Sequence, residues 1–168
     1  YDQLLAAGGR VALIGGSDAH AQTYRAGPLC KVVFPYELLF KTVNLHLLLR
    51  RPLSGDLPAD RETVYEAMQR GRGFIGYHVL GDPRGFTFRA GAATYGDELP
   101  AGALRFEIRS PRRARLRLLR DGVVVAQTVG RRLEYRSAAA GVYRAEAHRW
   151  AWLRWRGWVF TNPIYVRG

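Results

Sequence analysis

Leu116-Arg117-Leu118-Leu119-Arg120-Asp121-Gly122-Val123-Val124-Val125-Ala126 sets two apolar runs on either side of an Asp-Gly pair. A two-residue loop between strands needs positive φ at both central positions, which Asp and Gly tolerate and most residues do not. The stretch therefore predicts a tight antiparallel hairpin. Arg115 and Arg117 alternate with Leu116 and Leu118, the pattern of a strand with one wet face and one dry face. Working outward, Leu104 to Ile108, Leu133 to Arg136, Val142 to Ala147 and Trp158 to Phe160 read as further strands, punctuated by glycines and prolines. This spacing predicts an antiparallel, immunoglobulin-like β-sandwich over residues 83–168, starting after the break at Gly81-Asp82-Pro83.

The first half, residues 1–82, reads differently. Val11-Ala12-Leu13-Ile14 is a short unbroken apolar run ended by Gly15-Gly16-Ser17, which suits a strand buried on both faces of a parallel sheet. Pro35 and Glu37 can open a helix whose apolar stripe is Tyr36, Leu39, Phe40, Val43 and Leu47, closed by Pro52 and Gly55. Asp60 is a good cap for a second helix, with Glu62 in its first turn, Val64, Ala67 and Met68 on its dry side and Gly71 as its stop. The expectation is an α+β chain.

Composition narrows the function classes. A hydrophobic fraction of 48% over 168 residues is that of a folded domain. No apolar run approaches the ~18–20 residues of a membrane span, and Tyr1 to Gly9 lack the pattern of a signal peptide. A cytoplasmic location without membrane association is the expectation. Cys30 is the only cysteine, which excludes internal disulfides and an all-cysteine zinc site. The net charge is +12, and every basic residue except Lys31 and Lys41 is arginine. Such a charge attracts phosphates, nucleic acid or anionic lipid without specificity. Arg112, Arg113, Arg115, Arg117 and Arg120, and later Arg149, Arg154 and Arg156, are spread as solvated strand faces spread them, so specific nucleic-acid binding is not expected. Trp150, Trp152, Trp155 and Trp158 interleave with those last arginines. Interleaved Trp and Arg can stack on bases or sugars, but the simpler expectation is core and rim of a sandwich.

The segment richest in chemistry is Ile14-Gly15-Gly16-Ser17-Asp18-Ala19-His20. It follows the apolar run directly, and reactive groups in α/β folds sit where strands give way to loops. In extended backbone Asp18 and His20 point the same way, so a carboxylate and an imidazole can converge on one ion. Oxygen plus nitrogen ligation suits zinc, manganese or iron. Spacing alone leaves two bland alternatives, a helix cap for Asp18 and a polar loop residue for His20. After it, Arg25 and Lys31 are candidates to clamp an anionic substrate group, against a solvated loop. His46 reads as a packed structural histidine. His78 and His148 have no ligand-like neighbour at useful spacing, and Asp97-Glu98 reads as a turn.

The Gly16-Ser17-Asp18-Ala19-His20 segment resembles the last metal-binding motif of the PHP (polymerase and histidinol phosphatase) superfamily. The chain around it is similar to a subgroup of PHP metallohydrolases with a C-terminal β domain, the carbaryl-hydrolase type. The similar stretches are Arg10 to His20, Phe34-Pro35-Tyr36, Asp60-Arg61, Gly71-Arg72, Gly85-Phe86, Leu118 to Gly122, Gly141 to Arg144 and Asn162 to Val166. The resemblance implies a distorted (β/α)7 barrel holding a cluster of divalent metal ions that activate water for attack on a phosphoester-like bond. It also implies that residues 1–82 are the C-terminal remnant of that barrel, with Asp18 and His20 as metal ligands. The chain departs from the pattern in one respect: it has no His-x-His motif, and only seventeen residues precede Asp18. The expectation is that most of the barrel is missing, that this chain alone is inactive and holds little or no metal, and that its partners are the missing barrel segment or a second copy.

Overall fold

The computed structural model describes residues 1–168, the side chain of Ala6 excepted. Its centre is the expected hairpin. Strands β7 (Leu104–Arg120) and β8 (Val123–Ser137) are joined by Asp121 and Gly122, whose φ values are +52° and +82°. The pairing runs from Arg120 opposite Val123 to Leu104 opposite Ser137, with a bulge between Arg109 and Ala114. Pro111 lies in that bulge, where the missing N–H costs no ladder bond. The bulge also changes the neighbour on the other edge of β7. Before it, β7 pairs with β5 (Thr87–Ala90); after it, with β9 (Gly141–Ala151). One strand thus belongs to two parts of the sheet, and the sheet curls there.

Beyond β9 the sheet continues through β10 (Arg154–Thr161) to β4 (Gly73–Tyr77) and β3 (Val43–Leu47), and through β11 (Ile164–Arg167) to β6 (Glu98–Pro100). All nine strands belong to one hydrogen-bonded sheet, antiparallel except between β6 and β11. It curls into a half-barrel. The inward residues of β7, Phe106, Ile108, Leu116 and Leu118, have no solvent exposure, and neither do Phe88, Tyr143, Trp158, Val159 and Ile164. Each such side chain contributes about 1.5–3 kcal/mol relative to an exposed one. Phe106 stacks on Tyr143 at 4.1 Å, and the Trp158 indole donates to the carbonyl of Gly81 at 2.7 Å. The antiparallel β character expected of the second half is present.

The expected barrel remnant is not. Half of the residues are in strands and 14% in helices. The helices are α1 (Asp2–Ala6), α2 (Tyr36–Leu39) and α3 (Leu57–Gln69), too few for a (β/α)7 remnant. Val11–Ile14 forms no strand. The helix expected from Pro35 ends after one turn. Its supposed continuation, Val43–Leu47, is strand β3 on the edge of β4. α3 matches the second expected helix, although its cap is Asp56; the Asp60 carboxylate instead accepts from the backbone of Ser54 and Gly55. Gly71 (φ +63°) ends it: its N–H donates to the Met68 carbonyl and that of Arg72 to Ala67, the double bond of a Schellman motif. The sheet draws strands from both sides of the expected 82/83 boundary.

Candidate functional site

Residues 10–20 form an arm with neither helix nor strand, and no strand pairs with it. A backbone without a neighbour must satisfy its polar groups otherwise, and Asn162 does this for Leu13. Its side-chain oxygen accepts from the Leu13 N–H at 2.6 Å, and its amide donates to the Leu13 carbonyl at 3.0 Å and to the Gly73 carbonyl at 3.2 Å. One side chain thereby replaces a strand pairing at one position, and Asn162 is itself 2% exposed. Arg10 fixes the start of the arm. It donates to the Gly96 carbonyl at 3.1 Å, lies 4.8 Å from the Tyr165 ring centre and meets Glu98 at 3.4 Å. Gly15 passes so close to Ile75 that a Cβ would sit 2.8 Å from the end of its side chain, so a larger residue there requires Ile75 to shift.

Past Gly15 the arm leaves the sheet. Asp18 has φ +46°, in the left-handed region, so the backbone is not extended between Asp18 and His20 as the spacing argument assumed. The two side chains meet nonetheless: His20 Nε2 lies 3.2 Å from Asp18 Oδ1, with the side chains 74% and 93% exposed. No group of three or more His, Cys, Asp or Glu able to hold a metal is present among the described residues. One oxygen and one nitrogen donor fit a corner of a mixed site for zinc, manganese or iron; a tetrahedral zinc site needs more ligands than this pair.

Arg25 and Lys31 fall on an exposed hairpin, β1 (Gln22–Ala26) and β2 (Leu29–Val33), which forms its own two-stranded sheet. Arg25 is opposite Cys30, and Lys31 opposite Tyr24. Cross-strand partners share a face and successive residues alternate, so Arg25 and Lys31 lie on opposite faces. The hairpin does not bring them together.

The histidine pair and the Asp97-Glu98 pair weighed in the sequence are accounted for by packing and ion pairing. His46 and His78 meet through their Nε2 atoms at 2.8 Å, and His46 stacks on Phe74 at 4.6 Å. Burial pulls His46 below the ordinary histidine range; the nearby His78 adds to the shift and Asp82 opposes it. Asp97 binds Arg72 at 2.8 Å and the Thr94 N–H at 2.9 Å, and Glu98 faces Arg10 and Arg167. Of the four tryptophans only Trp158 is core. Trp150 and Trp152 are about 60% exposed, against the expectation of sandwich core and rim. The turn at residues 152–153 gave no hairpin signal because neither residue is the usual Asn, Asp or Gly. No protein-family model matches the chain, and no curated protein or solved structure matches it.

Proposed function

We propose that this chain is the C-terminal region of a metal-dependent, phosphoesterase-like hydrolase, to which it supplies Asp18 and His20 as two ligands of a divalent-metal site. The observation that supports the reading is the arm itself. It is anchored at Arg10 and Leu13 by specific bonds, then presents an adjacent carboxylate and imidazole to solvent. The apolar side chains before and after the pair, Val11, Ile14, Tyr24, Leu29, Val32, Phe34 and Phe40, are exposed as well. Exposed apolar side chains along a segment that carries an incomplete ligand set fit a segment that packs on a partner. The remaining ligands would come from that partner. No hydrolytic step is assigned to these two residues alone, and the chain by itself is expected to turn over no phosphomonoester.

The test is calorimetric titration of the chain with zinc and with manganese, wild type against Asp18→Ala/His20→Ala. Weak binding that disappears in the double variant supports the reading. Metal binding untouched by the substitutions overturns it.

A further inference from the structure

The β9–β10 hairpin turns on Trp152 and Leu153, both in the left-handed region at φ +50° and +62°. The β7–β8 hairpin makes the same kind of turn with Asp121 and Gly122. Turns of this hand favour Asn, Asp or Gly, and a bulky residue at positive φ is strained. The strain is not offset by packing, since Trp152 is 60% and Leu153 89% exposed. Beyond the Arg156 guanidinium against the Trp152 ring, the turn gives these two side chains little to pack on, which points to a use outside the fold.

The surroundings identify what they meet. Trp150 and Trp155 are cross-strand partners just below the turn, edge to face at 5.6 Å. The Arg156 guanidinium lies 4.9 Å from the Trp152 ring and that of Arg115 4.3 Å from Trp155. Arg113 and Arg154 are exposed. Along the chain, residues 108–120 and 147–168 contain no Asp or Glu, and Asp82 is the acid that follows Gly81, against which Arg112 and Arg149 pack. The tip is therefore apolar at its point, aromatic below the point and cationic around the base. We infer that this hairpin is an anchor for an anionic lipid surface: Trp152 and Leu153 enter the boundary between headgroups and acyl chains, Trp150 and Trp155 sit at headgroup level, and Arg113, Arg115, Arg154 and Arg156 face lipid phosphates. A sugar or a base is the poorer fit. Arginines already cover a face of Trp152 and of Trp155, and Leu153 at the apex offers nothing to stack on. This inference does not depend on the metal reading.

The test is co-sedimentation of the chain with vesicles of phosphatidylcholine alone and of phosphatidylcholine with an equal part of phosphatidylserine. The informative variant is Trp152→Asn/Leu153→Gly, because Asn-Gly is the preferred pair for this turn and leaves the fold intact or more stable. Binding is expected only to the phosphatidylserine vesicles. It should weaken with added salt and fall by about tenfold or more in the variant, whose melting temperature is unchanged or raised. Equal binding to both vesicles, no binding to either, or undiminished binding by the variant overturns the inference. So does tip-dependent binding confined to a soluble glycan or a single-stranded oligonucleotide in parallel titrations.

Discussion

At the scale of single residues, Asn162 contributes more than its type suggests. It spans the Leu13 backbone in both directions and also bonds the Gly73 carbonyl, through its own backbone N–H as well as its side chain. Asn162→Ala leaves the part-buried N–H and carbonyl of Leu13 without these partners, while the Gly73 carbonyl keeps its bond from the backbone of residue 162. It should cost about 2–3 kcal/mol in denaturant unfolding and raise the hydrogen-exchange rate of the Leu13 amide. An unchanged Leu13 exchange rate would mean that the arm is held by other contacts. The histidines give a second prediction at this scale. Burial pulls His46 and His148 below the ordinary histidine value. Beside His46 stand His78, Asp82 and Arg84; beside His148 stand Glu146, Arg115 and Arg117. With folded-state values depressed, the unfolded chain binds more protons than the fold once the pH drops below the ordinary histidine value. Their contribution is present above that value and lost as pH falls through the folded-state values. The melting temperature should fall from about pH 8 to about pH 5, and fall less in His46→Phe, which keeps a ring on Phe74 without a titrating group. Equal pH dependence in the two proteins would remove His46 from the account.

At the scale of elements, legibility followed the sharpness of the local constraint. The Asp121-Gly122 turn was readable because few residues accept its two positive φ values. Gly71 was readable as a helix stop for the same reason. Residues 36–47 were not, because two periods fit them. Tyr36, Leu39, Phe40, Val43 and Leu47 form a helical stripe, yet Val43, Leu45 and Leu47 also alternate with Asn44 and His46. Pairing with β4 decides for the strand, and no local signal carries that long-range term. Val11–Ile14 failed from the opposite side. An apolar run becomes a strand only when a neighbour pairs with it, and here an asparagine side chain takes that place. For the candidate site, the sequence picked out Asp18 and His20, and the structure does place them together. It could not tell that Arg25 and Lys31 part company, because register depends on where the turn falls. Nor could it see the Trp152-Leu153 turn, which violates the turn preferences that a sequence reading relies on.

At the scale of the molecule, charge and apolar surface are distributed unevenly over a single sheet. The sheet recruits β3 and β4 from the first half, through Phe160 opposite Ile75 and Thr161 opposite Phe74. The N-terminus is tied to the same sheet: Asp2 receives two 2.6 Å bonds from the largely buried Arg144, and Leu5 packs with Val142 and Tyr165. Beyond the exposed early segment that carries the β1–β2 hairpin and Lys41, little of the sheet can therefore unfold without breaking into the core that Phe74, Trp158 and Val159 share. The chain should melt in one cooperative calorimetric transition, with an enthalpy on the order of 100 kcal/mol that agrees with the van't Hoff value. Trypsin should nick Arg25, Lys31 and Lys41 on the exposed early segment well before the sheet arginines, because their backbone needs no global opening to be cut. Two separated transitions would instead mean that the halves on either side of residue 82 fold independently, and that the β4–β10 pairing holds two units side by side rather than making them one.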